Sequence, residues 1–452
     1  MMKYDVIIIG SGPAGYVAAI RAGQVGLKTA IVEKENIGGM CLNWGCIPSK
    51  AMIESAKLFN RINIDAARFG IEGIDKKNIS FNYAKAAKRA NAVVSRLTKG
   101  IEFLLKKNGV EIISGEAKIT SDSTVTVGNR SMEADKIIIA TGSAFPDTET
   151  VKNDLIVDIK NLFSDREIPE NIVVAGENSV AIELAQFFSL TRKNVTLAVP
   201  SNIIMPLADE YLANYMLGIL KKNKINIVYN SAIESFDKAY TDGELLLNET
   251  KVKCDLFING TKRNAVLPAM DIELELDNDF IKTDDDCLTS IPNIYAVGDV
   301  NGKSTFAHIG SAQGLHVIDQ IKGIKSKLDL KKYPLNMYTV PEVAQIGSTE
   351  AEIKKMDIEY KISEFPLSAN GKAMTEGTNE GFVRILSETK YGEVLGVQIV
   401  APHATDLIAE ASAYMQLEAT IYDVAKTVHA HPTISEVFME AGFEAVDKAI
   451  HK

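Results

Sequence analysis

The feature that most constrains how this 452-residue chain can fold is a unit that occurs twice at one spacing. Residues 3 to 33 read as a strand (Tyr4 to Ile9), a glycine-rich turn (Gly10-Ser-Gly12-Pro-Ala-Gly15), an alanine-rich helix to about Gly26 and a second strand (Lys28 to Glu33). The glycines of such a unit allow a tight turn, close approach of backbone to a pyrophosphate, and close packing of helix on strand, and an acid at the second strand end holds a ribose hydroxyl. Residues 171 to 199 repeat the pattern at a constant offset of 166, which sets Gly176 on Gly10, Asn178 on Gly12, Ala181 on Gly15 and Val199 on Glu33. The second copy keeps the signal for the fold while its binding chemistry is weakened. The chain therefore reads as α/β, with two Rossmann-like dinucleotide-binding domains.

Further landmarks divide the rest. Lys136-Ile-Ile-Ile-Ala-Thr-Gly142 and Asn293-Ile-Tyr-Ala-Val-Gly298-Asp299 read as buried strands ending at a glycine, each suited to close approach of a cofactor. From about 336 the strands alternate in polarity (Gly381 to Leu386, Val394 to Val400), and amphipathic helices follow at about 404 to 417 and 434 to 450, so a separate C-terminal α+β domain is expected. The expected segments are 1–145, 146–270, 271–335 and 336–452, the first and third belonging to one domain. With a net charge of −10 and no dense run of Lys and Arg, a nucleic-acid partner is not expected. No apolar stretch approaches the roughly 18 to 20 residues that span a bilayer, so the reading is a cytoplasmic enzyme without membrane contact.

Immediately after the first unit comes Gly38-Gly-Met-Cys41-Leu-Asn-Trp44-Gly-Cys46-Ile-Pro48-Ser-Lys50, which should begin a helix. Residues five apart on a regular helix have Cα atoms about 8.6 Å apart, beyond the roughly 7 Å limit for a disulfide, so a bonded pair needs a distorted first turn. Gly45 and Pro48 permit that distortion. Thiolates are stabilised near a helix N-terminus, which favours redox chemistry over two structural thiols. A zinc site lacks a second pair or a suitably spaced His cluster. Trp44 reads as local packing or a partner-docking residue, and Cys254 and Cys287 as incidental. Near the C-terminus, Thr433-Ile-Ser-Glu436 can be read as a capping box, leaving His431 a loop residue, or Glu436 can orient His431 as a general base toward a dithiol.

Glu33, Cys41/Cys46 with Lys50, Ala140-Thr-Gly142, Gly298-Asp299, Tyr338-Thr-Val-Pro-Glu-Val and His429-Ala-His431-Pro-Thr-Ile-Ser-Glu436 occur in this order over essentially the whole chain. The ensemble resembles the class I flavin-dependent pyridine nucleotide-disulfide oxidoreductases, in particular the dihydrolipoamide dehydrogenase family. The resemblance implies a homodimer built through the C-terminal dimerisation domain. It also implies FAD held by Gly10, Gly12, Gly15, Glu33 and Gly142, by Asp299 at the ribityl chain, by backbone near Ala117 at the adenine side, and by the helix start at Ala307-His308. Cys46 would be the thiol against the flavin, Cys41 the thiol attacked by substrate, and His431 with Glu436 would reach in from the other subunit. Lys50 would pair with Glu183 beside the flavin. No cysteine follows Cys287, unlike a mercuric-ion reductase, and the flavin transhydrogenases lack the redox pair. The resemblance breaks in the second unit, where Asn178, Ala181 and Val199 replace the NAD-binding residues and Lys262 stands where a strand-end glycine is expected. Two electron routes follow: from a lipoyl-type dithiol through the cysteines and FAD to NAD, or exchange of flavin electrons with ferredoxin or flavodoxin.

Overall fold

The structure, a computed structural model, describes residues 2–145, 155–157, 159–232 and 239–452. The boundary expected at 145/146 adjoins residues outside that set. The chain divides into two units: Met1–Ser55, Asp75–Ile168 and Thr261–Leu328 form the first, and Ala56–Ile74, Pro169–Gly260 and Asp329–Lys452 the second.

In the first unit the strand Met2–Ile9 lies between Thr29–Glu33 and Arg130–Ile139, parallel to both, with Ile7 opposite Ala30 and Ile137. Glu111–Ser114 pairs outside one neighbour and Ile294–Ala296 outside the other. Val6, Ile7 and Ile8 are fully buried, as an unbroken apolar run in a parallel sheet covered on both faces should be. The helix Pro13–Gln24 opens with proline, whose fixed φ suits the first helical position. Its Ala14 and Ala18 face Gly310 and Gly314 of the helix Ala307–Ile321, and a Cβ on Gly314 would stand 2.5 Å from the Ala14 carbonyl oxygen. The two helices meet almost backbone to backbone. Arg21 and Asp319 clamp that contact with an ion pair of 2.7 Å.

The second unit repeats this layout. Asn171–Ala175 lies between Asn194–Ala198 and Leu256–Asn259, all parallel, with Asn226–Val228 at the outer edge. The repeat in sequence is thus a repeat in strand order. One expectation needs correcting, because the glycine looked for at 262 is present as Gly260. The crossover strand of the first copy ends at Ile139, three residues before Gly142, whereas that of the second ends at Asn259 and runs straight into its glycine. A Cβ on Gly260 would lie 2.9 Å from the Ala175 carbonyl oxygen.

The C-terminal part of this unit is a five-stranded antiparallel sheet in the order Leu335–Met337, Glu342–Gly347, Val394–Ala401, Phe382–Glu388, Tyr360–Pro366. Helices Ala404–Gln416 and Glu436–Val446 supply Ile408, Val437 and Phe438 to its core. The second helix is shorter than expected at both ends, since Asp447 leaves the helical region.

A buried cation lies in this unit. Arg384, only 5% exposed, places its guanidinium 2.7 Å from Glu350, 3.4 Å from Asp209 and 3.0 Å from the Gln398 side-chain oxygen. Lys354 first, and then Arg384, hold the Glu350 carboxyl down at about 2. Arg384→Met is expected to cost about 3 to 5 kcal/mol in chemical denaturation, because it strands buried carboxylate charge. The depressed Glu350 adds stability that is complete above its unfolded value of 4.5 and fades as pH falls toward about 2. The variant should therefore lose part of the wild-type acid sensitivity in that window. An Arg384→Met protein with unchanged denaturation midpoint and acid profile would refute this account. Among the described residues no helix is long and apolar enough to cross a membrane.

Candidate active site

Cys41 and Cys46 are joined by a disulfide with their Cα atoms 4.7 Å apart. The shortening relative to a regular helix comes from a break rather than from a distorted first turn. A short helix, Gly39–Asn43, carries Cys41 and stops; a second helix, Cys46–Ile64, starts at the other cysteine. Between them the amides of Trp44 and Gly45 both donate to the Met40 carbonyl, at 3.0 and 2.7 Å. A side chain at Gly45 would press to 3.1 Å on that oxygen. Pro48 sits in the first turn of the long helix, where a missing N–H costs nothing. Cys46 therefore stands at the positive end of a 19-residue helix, where a thiolate is stabilised. Trp44 lies under the Lys160 ammonium, 4.7 Å from ring centroid to Nζ. Burial pushes the thiols of Cys254 and Cys287 up to about 12, which leaves both unreactive at neutral pH.

Around the first glycine turn the structure offers what FAD needs. Gly12 precedes the helix Pro13–Gln24 with no side-chain cap, and a Cβ there would meet nothing within 4 Å. Gly10 and Gly15 by contrast leave no room for a side chain, against Ala140 and Gly10 itself. Glu33 accepts hydrogen bonds from the Ser11 amide (2.8 Å) and hydroxyl (2.6 Å) and from the Glu35 amide (2.8 Å). A cleft lined by Glu33, Glu35, Ile37, Lys106, Ile112 and Ser114 opens beside it. The Thr141 hydroxyl, next to Gly142, is buried without a partner and awaits an acceptor or donor. Ala117 is buried at the start of the strand Ala117–Ser121, and Ala307 begins a helix with no side-chain cap. Asp299 is engaged by residues that the sequence did not flag: it accepts from the Ser143 hydroxyl at 2.6 Å and lies 3.1 Å from Arg263. Lys50 lies one turn into the long helix, and Glu183, buried on the helix Ser179–Leu190, accepts from the Tyr338 amide at 3.0 Å.

The second glycine turn is closed where the first is open. Asn178 is the N-cap of the helix Ser179–Leu190, its Oδ1 accepting from the Ala181 amide at 3.2 Å and its Nδ2 donating to the Gly260 carbonyl at 2.8 Å. The side chain thus caps a helix start that in the first copy carries no side-chain cap. Val199, in place of the acid, is fully buried.

His431 and Glu436 are brought together as expected. Glu436 Oε1 lies 2.9 Å from His431 Nδ1 while Oε2 accepts from the Thr433 amide at 2.8 Å. The capping box is only half made, since the Thr433 hydroxyl donates to the Ala430 carbonyl and the helix begins one residue after Ser435. Burial alone would raise the Glu436 carboxyl, but the Thr433 amide and then His431 outweigh it and hold it below the usual range. His431 is 82% exposed, so Nε2 faces outward with Nδ1 fixed by a carboxylate. A second pair escaped the sequence reading: His429 Nε2 lies 2.6 Å from Glu410, which raises the His429 pKa, and Glu410 also accepts from Tyr414.

Comparison with known proteins agrees with this geometry. Residues 4–314 match the family described as pyridine nucleotide-disulphide oxidoreductase, and residues 333–442 match its dimerisation domain. The chain is 34% identical to dihydrolipoyl dehydrogenase of Bacillus subtilis, covering 99% of both, and 35% identical to that of Cupriavidus necator, covering 99% of this chain and 98% of the other. In fold it is similar to LpdA from Mycobacterium tuberculosis, with a TM-score of 0.86 at 22% identity over 98% of this chain and 99% of that one. The chain belongs to the pyridine nucleotide-disulphide oxidoreductase family, as an FAD-dependent disulfide oxidoreductase that carries the family's dimerisation domain.

Proposed function

We propose that the chain is a dihydrolipoyl dehydrogenase, working as a homodimer that oxidises the dithiol of a lipoyl domain and passes the electrons to NAD. The observation that carries this reading is the disulfide at the broken helix, with one sulfur on each side of the break. One substrate thiol gives its proton to His431 of the opposite protomer, and the thiolate attacks Cys41, displacing Cys46 as a thiolate at the helix N-terminus. The second substrate sulfur closes on the first, expelling Cys41. The substrate leaves as a disulfide, and its two protons rest on Cys41 and His431. Glu436 holds the imidazole in the tautomer that receives at Nε2. Gly10, Gly12, Gly15, Glu33, Ala117, Gly142, Asp299 and Ala307 would hold FAD, with Lys50 and Glu183 paired beside the ring. When bound, the flavin supplies a two-electron relay to the nicotinamide. Segments 1–145 and 271–335 form the FAD domain in this reading, 146–270 the nucleotide domain and 336–452 the dimerisation domain. A ferredoxin or flavodoxin partner has no observation of its own: the Asn178 cap argues for weak nucleotide binding, not for a protein carrier.

An anaerobic titration of the purified holoenzyme tests the reading. Dihydrolipoamide and NADH should each reduce the flavin rapidly; a flavin reduced by neither would overturn it, and one deaf to NADH alone would remove NAD from it. Asn178→Gly is expected to lower the KM for NADH about tenfold or more, since it frees an amide for a charged phosphate. The helix should lose only a few tenths of a kcal/mol, the usual cost of glycine at an N-cap. An unchanged KM would show that the cap does not compete with the nucleotide.

A further inference from the structure

The acid missing at Val199 leaves a question that the two copies answer together. In the first, the Glu33 carboxylate ties position 11 to position 35, accepting from the Ser11 amide and hydroxyl and from the Glu35 amide. The offset of 166 carries those two positions to Glu177 and Ser201. In the second copy these residues bond directly, the Ser201 hydroxyl donating to Glu177 Oε2 at 2.5 Å. The carboxylate now stands at the position of Ser11, and the hydroxyl two residues beyond the position of Glu33. The acid sits on the glycine turn and the hydroxyl just beyond the strand end, so a carboxylate remains beside the turn although the strand-end acid is gone.

Several contacts hold the carboxylate there. The Glu177 carbonyl accepts from the Met205 amide at 2.7 Å, Ser201 Oγ also accepts from the Ile203 amide at 3.2 Å, and the Ser201 carbonyl accepts from the Asn230 amide at 2.8 Å. Glu177 is half-buried, and its Oε1 takes no hydrogen bond among the described residues. A pair of vicinal hydroxyls is the ligand chemistry that such an acceptor fits, whereas a 2′-phosphate would be repelled.

We infer that Glu177 is the residue that binds the adenosine ribose of the nicotinamide nucleotide and selects NAD over NADP. The inference rests on the NAD reading above. The phosphate end of the site is impeded by Asn178, but the ribose end is intact in a rearranged form.

Isothermal titration of the holoenzyme with ADP-ribose and with 2′-phospho-ADP-ribose tests it, alongside the rate of flavin reduction by dihydrolipoamide. The wild type should bind ADP-ribose and discriminate against the 2′-phosphate. Glu177→Gln should weaken ADP-ribose binding about 10- to 100-fold, the scale of one charge-assisted hydrogen bond, and should erase most of the discrimination, with the dithiol half-reaction unchanged. Ser201→Ala, which keeps the carboxylate, should retain both properties within a few-fold. Restoring the first-copy arrangement with Glu177→Ser and Val199→Glu should recover what Glu177→Gln loses. If Glu177→Gln binds both ligands as the wild type does, the assignment is wrong. A wild type that binds neither ADP-ribose nor NADH would overturn both the assignment and the choice of NAD. A wild type that binds ADP-ribose but is not reduced by the dithiol would remove the lipoyl reading and leave Glu177 in place.

Discussion

Cys46→Ser should lower dihydrolipoamide oxidation by about 10⁴-fold or more, the scale on which enzymes lose rate when a covalent reacting group is removed. Cys41→Ser should do the same for a different reason. Without Cys41 there is no sulfur for the substrate thiolate to attack; without Cys46 there is no leaving group. The control is FAD content, which should stay near one per chain because the residues proposed to hold the flavin, the Gly10 to Gly15 turn and Glu33, do not depend on the disulfide. The disulfide closes a loop of few residues, so its loss should cost only about 2 kcal/mol of stability. A Cys46→Ser enzyme that kept more than a few per cent of its turnover would place the chemistry elsewhere.

His431→Gln carries the second large effect. A positioned general acid or base is worth about 10²- to 10⁴-fold, and dithiol reduction of the flavin should slow by that factor with FAD still bound. Glu436→Gln should show a smaller loss, since it keeps an acceptor for Nδ1 but removes the carboxylate charge that strengthens that hydrogen bond. The sharper test mixes protomers. A heterodimer of Cys46→Ser with His431→Gln has one site with both lesions and one with neither, so random reassociation of two inactive homodimers should restore about a quarter of wild-type activity. No recovery, with heterodimers shown to form, would mean that His431 serves the cysteines of its own chain.

Much of this site could be read from the residues because it depends on short spacings. The glycine turn, Glu33 and the pair at 41 and 46 are local, and the structure places them as a local reading expects. What escaped depends on contacts far along the chain. A glycine at 262 would repeat the first copy's spacing of three residues from strand end to glycine, but in the second copy the glycine follows the strand end directly, a difference that residue patterns alone do not show. The helix break at Trp44-Gly45 was foreseen only as a distortion, since a residue count cannot say whether a helix bends or stops. Asn178 was legible as a bulky replacement for glycine, but not as a cap bonded to Gly260, which lies 82 residues away. Arg263 beside Asp299 and Glu410 beside His429 gave no periodic or motif signal at all.

The division of the first unit into separate stretches of chain bears on the order in which the protein is made. The strand Arg130–Ile139 has its outer neighbour, Ile294–Ala296, about 150 residues further on, so at about 5 to 20 residues per second that edge leaves the ribosome roughly 8 to 30 s before its partner. The intervening strands Asn171–Ala175, Asn194–Ala198 and Leu256–Asn259 form a parallel set that has emerged in full before Ile294 is made. Synthesis therefore finishes the parallel sheet of the second unit before that of the first unit can close, and the apolar edge at Ile137 to Ile139 is the stretch a nascent chain would most need to have shielded.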